Sequence, residues 1–213
     1  RLANMRLPAT IGREQRVVIQ DALAPAPRVY VVYRVPPLKD SRTQVVSLLA
    51  DIIGGGRSSR LDEALVRRQQ IATSVTGLNL TLVDGADMLV FMATGKQGAS
   101  PDSLERALLA ELAGTSSFTQ SELDRARASE RFSFVDGLQT TGGFNGRADR
   151  LAEAWTFFRD PNYVNTVLGQ IDRITVADLN ALARERLVPT NRAILVFVPA
   201  KKSASQTSSK RVP

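Results

Sequence analysis

Apolar and polar residues alternate along several short stretches of the chain, which is the spacing of β-strands that bury one face. In the clearest of them, RVYVVYRV at 28–35, one face carries Val29, Val31, Tyr33 and Val35. An Asp84–Gly85 pair separates two other stretches and predicts a hairpin turn between them. The predicted strands cover residues 16–20, 28–35, 74–83, 88–94 and 193–199.

Elsewhere the apolar residues recur every three or four positions, which predicts helices that bury one stripe. The first stripe starts after Asp40 and ends at three consecutive glycines, and its members are Val45, Leu48, Leu49, Ile52 and Ile53. Residues typical of helix N-termini predict the starts of the next three helices. They are a Ser59/Asp62 capping box, Ser100 before Pro101, and a Thr119/Glu122 capping box. The last of these should break near Gly137 or at Gly142 and Gly143, and helical character resumes over 145–158 and 175–187.

Strands paired in hairpins and long uninterrupted helical runs together predict an α+β domain, with a mostly antiparallel sheet and helices packed on one face. A doubly wound parallel fold fits less well, because the hairpin and the helical block interrupt the alternation of strand and helix. Residues 14–199 form the predicted domain, 1–13 a linker, and 200–213 a flexible tail that is basic and rich in serine.

The net charge of +7 changes this picture little. Residues 201–213 hold four positive charges and no acid, so subtracting them leaves +3 for the rest of the chain. Without an aromatic stacking motif among the arginines, nucleic-acid binding is disfavoured. No apolar run reaches the roughly 20 residues of a membrane span. We recognise no targeting segment, and a bacterial periplasm and a cytoplasm both fit the composition.

The chain contains no His and no Cys, which limits its chemistry. A Ser-His-Asp triad is excluded, and a zinc site could use carboxylates only, which is rare for zinc. The acids on predicted helices are explained by solvent-facing positions; they include Glu63, Glu105, Glu111 and Glu153. We therefore expect this chain alone to hold no zinc or other cofactor and to cleave no peptide.

The segment DIIGGGRSSR at 51–60 is the most unusual part of the chain. It fails as a phosphate-binding loop because no Lys follows the glycines, and as a dinucleotide loop because a helix, not a strand, precedes them. A purely structural interpretation is that Gly54 ends the helix in a left-handed cap and a tight turn follows. We expect Gly55 or Gly56 to need a positive φ.

Four segments, in this order, resemble the pitrilysin (insulinase) family of zinc metallopeptidases, which includes mitochondrial processing peptidase. They are RVYVVYRVPP, LLADIIGGGRSSRLDEALVRRQQIATSV, GGFNGRADRLAEAWTFFRDPNYV and ITVADLNALARERLVPTNRAILVFVP. The resemblance covers residues 14 to 199. Members of this family pair homologous α+β domains, and one of the pair carries an H-x-x-E-H helix that holds zinc and supplies the general base.

Because this chain lacks H-x-x-E-H, the resemblance implies the non-catalytic partner domain, which encloses an extended peptide while a homologous catalytic domain supplies zinc. That catalytic domain, in the same polypeptide or in a partner subunit, and the peptide are the expected partners. The glycine-rich turn matches the position of a family loop associated with substrate handling. The resemblance thus implies substrate binding by Gly54, Gly55 and Gly56. On the same turn we expect the basic side chains of Arg57 and Arg60 to bind acidic groups or carbonyls of the peptide, the alternative being that both only solvate a helix start.

The chain departs from the family at two positions. Where many members carry an Arg and, seven residues later, a Tyr that reach the active site, this sequence has Val66 and Thr73. Arg67 and Arg68 are out of register by one or two residues, and each residue turns a helix by about 100°. Two alternatives stay open beside the peptidase domain: a catalytically inactive assembly subunit related to the family, and an unrelated binding module of similar fold.

Overall fold

The computed structural model of the chain describes residues 8–81, 87–115 and 117–200. The strands are β1 Gln15–Asp21, β2 Arg28–Arg34, β3 Ala72–Leu80, β4 Met88–Gly95 and β5 Arg192–Pro199. The α-helices are α1 Thr43–Gly54, α2 Pro101–Ala113, α3 Gln120–Gln139, α4 Arg147–Phe158, α5 Val167–Arg173 and α6 Val176–Arg186. A π-helical segment spans Asp62–Arg68, and 3₁₀ turns span Pro161–Thr166 and Pro189–Asn191.

The strands form one sheet in the order β1-β5-β2-β4-β3. β1 runs parallel to β5, and every other neighbouring pair is antiparallel. The predicted hairpin is β3 and β4, whereas the Asp84–Gly85 turn itself lies outside the described residues. The same is true of residues 1–7 of the predicted linker and 201–213 of the predicted tail.

One face of the sheet carries the core. Val29, Val31 and Tyr33 of β2 are at most 1% exposed, as their alternation predicts. They join buried residues of β4, β5, α1, α2, α3 and α6 in a single cluster. The opposite face stays partly open, since Val17 and Ile19 of β1 and Leu78 and Leu80 of β3 are between 36% and 50% exposed. The prediction of a mostly antiparallel sheet with helices on one face is confirmed.

The predicted helix starts are confirmed where a side chain bonds the first turn. Ser100 accepts from the Ser103 amide ahead of Pro101, and Thr119 and Glu122 complete a capping box. The helix predicted after Asp40 begins three residues later, at Thr43. Helix α3 runs through Gly137 to its end at Gln139, and the chain turns at Gly142 and Gly143.

The prediction that Glu105 faces solvent is wrong. Glu105 of α2 is only 8% exposed, and its two carboxylate oxygens accept from Arg16 Nε and Nη2 at 2.9 and 2.8 Å. Arg16 lies on β1, 89 residues away, so the spacing along α2 could not reveal this pair. The ion pair connects the edge strand β1 to helix α2.

The π-helical segment Asp62–Arg68 is wound more widely than an α-helix. The Gln69 amide donates to the Ala64 carbonyl five residues earlier, at 2.9 Å, which is the π-helical pattern. Gln70 then takes a left-handed φ of 54° before β3 begins at Ala72. Left-handed backbone is strained for residues that carry a Cβ, so Gln70 is a local cost of joining this helix to the strand.

Replacing Gln70 by glycine should therefore stabilise the protein, by about 0.5 kcal/mol after the extra chain entropy of glycine is subtracted. The side chain of Gln70 is exposed, so little packing is lost. Gln69→Gly is the matched control, because Gln69 has an ordinary helical φ of −80° and should lose about 1 kcal/mol on replacement. Urea denaturation of both variants measures the difference, and a Gln70→Gly variant less stable than the parent would contradict the argument.

Candidate functional site

The glycine-rich turn connects α1 to the π-helical segment and has three different backbone environments. Gly54 is the last residue of α1, and the Gly55 amide still donates to the Asp51 carbonyl at 2.8 Å. Gly56 has the left-handed φ of 81°, as predicted for one of the last two glycines. The interpretation of Gly54 as the left-handed cap is wrong, since Gly54 keeps the helical conformation of α1.

Gly54 lets α1 lie directly on the sheet. A Cβ at Gly54 would stand 2.6 Å from the Gly77 amide nitrogen of β3, and a Cβ at Gly77 would stand 2.5 Å from the Ala50 carbonyl oxygen. Distances this short are sterically forbidden, so both positions need glycine. The importance of Gly77 was missed, because the contact joins residues that are far apart in sequence.

Ser59 stabilises the turn through a buried side-chain hydrogen bond. Its side chain is buried, and Oγ donates to the Gly56 carbonyl at 2.7 Å. Ser59 Oγ also lies 3.4 Å from the Asp62 amide, which is the weak half of the predicted capping box. The Asp62 carboxylate accepts from Arg67 Nε at 3.1 Å instead of returning to the Ser59 amide.

Arg60 is held tightly by α3. Its Nε and Nη2 donate to the two carboxylate oxygens of Glu122 at 2.6 and 2.8 Å, and Nη2 also donates to the Ser117 carbonyl at 2.6 Å. The guanidinium lies over the Phe118 ring, 4.6 Å from its centroid. The Nε and Nη2 donors are thus used by the carboxylate and the Ser117 carbonyl, and the Phe118 ring covers one face of the guanidinium. Arg60 therefore anchors the turn to the start of α3.

Glu122 contributes to this anchor through its charge. The hydrogen bond from Arg60, followed by the hydrogen bonds from the Thr119 backbone and side chain, lowers the pKa of Glu122 to about 2. Glu122 therefore stays ionised throughout the neutral range. One carboxylate completes both the capping box of α3 and the ion pair with the turn.

Arg57 is the other predicted cation of the turn, and its surroundings differ from those of Arg60. Its side chain is exposed, and within the described ranges it has no hydrogen-bond or ion-pair partner. Its carbonyl accepts from Arg67, so the backbone is fixed while the guanidinium faces solvent. The structure thus brings Arg57 and Arg60 onto one turn, with only Arg57 available to a second molecule.

The two positions that depart from the family lie close to the turn. Val66 packs partly buried against the core from the π-helical segment. Thr73 is exposed on β3, and its Oγ1 donates to the Thr94 carbonyl at 3.2 Å. Arg68 is paired with Glu111 of α2 at 3.3 Å, so it faces a neighbouring helix.

Two carboxylates with raised pKa values, Asp51 and Glu130, were not identified as functional candidates from the sequence. Burial of Asp51 on α1, reinforced by the negative charge of Glu130 and opposed by Arg125, raises the pKa of Asp51 to about 6. Burial also raises the pKa of Glu130 on α3. An acid with a pKa close to neutrality often marks a functional surface. Asp51 lies one helical turn before Gly55 along the chain. Glu130, in contrast, comes close to Asp51 only because α3 packs against α1.

No group of three or more His, Cys, Asp or Glu side chains within 8–81, 87–115 and 117–200 is arranged to hold a metal ion. In the same part of the chain, no helix is both long enough and apolar enough to cross a membrane.

The fold and the turn can be compared with known proteins. The chain is similar to the zinc protease PqqE of Helicobacter pylori, with 25% identity over 198 residues that cover 92% of this chain and 43% of the relative. It therefore spans less than half the length of that relative. A crystal structure of a protease from Helicobacter pylori aligns with 92% of this chain and 46% of its own, with a TM-score of 0.79 and 23% identity, which shows the shared fold.

A second solved structure has nearly the same extent as this domain. It is the inactive peptidase domain of a zinc protease from Bordetella parapertussis, with a TM-score of 0.72 and 25% identity over 82% of this chain and 93% of that one. The family model described as the peptidase M16 inactive domain matches residues 4–130, more than half of the chain. These findings confirm the predicted relationship to pitrilysin-type metallopeptidases. The chain belongs to the family of inactive domains of M16 peptidases.

Proposed function

We propose that this domain encloses peptide substrates, or unfolded protein segments, for a zinc-dependent metalloendopeptidase whose catalytic domain lies outside this chain. The observation that carries the proposal is the match to the M16 inactive domain in a chain without His or Cys. Relatives more than twice as long are named zinc proteases, which supports a catalytic domain as the partner. In this proposal zinc and the general base belong to that partner.

In this proposal the glycine-rich turn positions substrate and does no chemistry itself. Gly54 and Gly55 hold the backbone close to β3 and Asp51, and Arg60 fixes the turn to α3. Arg57 is then presented on a rigid base, where its guanidinium can bind carbonyl or carboxylate oxygens of an extended peptide. Aligning the peptide and excluding water would lower the barrier of a hydrolysis carried out by the partner.

The absence of an arginine at position 66 and of a tyrosine at 73 fits a role limited to enclosure and alignment. Val66 is partly buried and packs against the core, so the side chain present at that position contributes to packing and offers no charge or hydroxyl to a peptide. If the reaction needs the Arg and Tyr of other family members, a further domain supplies them. Arg57 is the cation of this turn that remains available for a substrate.

Arg57→Ala in the full-length protein is expected to lower kcat/KM for peptide hydrolysis by about tenfold while the zinc content stays unchanged, because a charge-assisted contact to substrate is lost. Arg184→Ala is the matched control, since Arg184 is an exposed arginine on a different helix, α6. The measurement is steady-state hydrolysis of a fluorogenic peptide together with metal analysis of each variant.

Equal activity of the two variants would contradict the role of Arg57. Full activity of the separated catalytic domain, without this chain, would overturn the enclosing function and favour the inactive assembly subunit. Restoration of activity when this chain is added in trans would support enclosure directly.

A further inference from the structure

The space between α1, α3 and α4 is a cavity of about 360 Å³. Its walls include Gln44 and Ser47 of α1, Glu130 and Phe134 of α3, and Arg150 and Glu153 of α4. Phe158 and Tyr163, stacked with ring centroids 3.7 Å apart, also line it. This volume is at the lower end of small-molecule sites and suits one long side chain.

The charges lining the cavity do not balance. Glu130 and Glu153 face it from two different helices, and Arg150 is the only cation among its lining residues. Arg150 Nε donates to the Asn145 carbonyl at 3.0 Å, and its guanidinium lies over the Phe134 ring at 4.6 Å. Gln44 and Ser47 on the α1 side are neutral. Among the described residues that line the cavity, two carboxylates therefore face one cation.

The aromatic side chains that line the cavity can also bind a cation, in addition to the two carboxylates. Ring faces attract guanidinium and ammonium groups, and Arg150 over Phe134 already shows this contact within the cavity. The stacked Phe158 and Tyr163 offer further ring surface beside Glu153. A long, flexible basic side chain could place its alkyl part against the rings and its charge between the two acids.

We propose that this cavity binds a basic side chain, arginine or lysine, of a peptide. The proposal rests on the proposed function, since it assigns a sequence preference to the enclosed substrate. The cavity lies along the same α1–α3 contact as Asp51, which connects it to the glycine-rich turn. A peptide held at Arg57 could thus extend along this contact to the cavity.

The carboxylates should make this binding depend on pH. Burial raises the pKa of Glu130, against the opposing effect of Arg150. Partial desolvation together with the charge of Asp149, again opposed by Arg150, raises the pKa of the more exposed Glu153. Asp51 adds negative charge beside Glu130. A cation binds the ionised carboxylates, so affinity should fall as the pH is lowered below neutrality and the acids take up protons.

The experiment titrates this 213-residue chain with Nα-acetyl-arginine methylamide and, separately, with the citrulline analogue, which has the same shape without the charge. Nuclear magnetic resonance shifts report binding, and the arginine compound is expected to bind at least about tenfold more tightly. Glu130→Gln and Glu153→Gln should each remove most of this preference. Asp102→Asn on α2, whose carboxylate is 80% exposed, is the matched control and should not change it.

Equal affinity for the two compounds, or no binding of either, would overturn the proposal. So would a preference for arginine that survives both glutamine substitutions. Thermal melts verify that each variant is folded, and if one is not, the comparison of the two compounds on the parent chain decides. This result is independent of the hydrolysis assay with Arg57→Ala, so failure of the cavity site and failure of the enclosing function can be told apart.

Discussion

Gly54→Ala should lower the free energy of unfolding by about 3 kcal/mol, although alanine is the better helix former. The added Cβ would lie 2.6 Å from the Gly77 amide nitrogen and 2.7 Å from the Gly77 Cα. Both are backbone atoms of a strand in the middle of its hydrogen-bonded ladder, so neither can turn aside as a side chain would. The last turn of α1 would have to move away from β3, which opens the core beneath it.

Gly169→Ala is the matched control for this prediction. Gly169 lies within the helix α5, and a Cβ there would meet nothing within 4 Å. Its replacement should be neutral or stabilise the protein by up to about 1 kcal/mol through helix propensity alone. Denaturant unfolding of the two variants separates steric contact from propensity. Similar stability of Gly54→Ala and the parent would refute the close approach of α1 to β3.

The second large effect is expected at the anchor between the turn and α3. Glu122→Gln should cost about 2 kcal/mol at neutral pH, because a half-buried arginine loses its two-point partner and the capping box loses its acceptor charge. The side chains of Arg60 and Glu122 are 25% and 16% exposed, so water replaces the lost contacts poorly. A double-mutant cycle with Arg60→Ala separates the pair from the capping contribution.

Arg131 and Asp172 provide the comparison. They form a similarly short ion pair at 2.6 Å, but both side chains are 48% exposed. Exposed pairs of this kind contribute little, so the corresponding cycle should show almost no coupling. If the two cycles gave equal coupling energies, burial would not be what makes the Arg60–Glu122 pair stabilising.

The anchor also predicts a dependence on pH. The pKa of Glu122 is about 2 in the folded protein, below its ordinary value of 4.5. The folded state therefore binds this proton less well than the unfolded state, and the stabilisation is complete above about pH 4.5 and lost as the pH falls toward 2. The difference in stability between the parent and Glu122→Gln should shrink over that acidic range.

Local patterns were sufficient for most of the secondary structure. Alternation along 28–35 predicted both the strand β2 and its buried face, and the Thr119/Glu122 spacing predicted the start of α3. These features depend on residues within one or two turns of each other, so a single sequence carries the information. The π-helical winding of Asp62–Arg68 could not be predicted in this way, since its spacing of apolar residues is that of a short α-helix.

The features of the candidate site also separate into those that the sequence predicts and those that depend on the tertiary structure. The sequence alone determined that the chain lacks His and Cys, and with them the usual zinc ligands, that a glycine turn follows an amphipathic helix, and that the chain resembles the non-catalytic domain of pitrilysin-type peptidases. Only the tertiary structure decided that Arg60 is bound to Glu122 while Arg57 is exposed, that Gly54 meets Gly77, and that Glu130 faces a cavity with Glu153. Composition and local spacing are properties of neighbouring residues, whereas burial, pairing and charge balance depend on contacts between residues that are distant in the chain and meet only when the helices pack on the sheet.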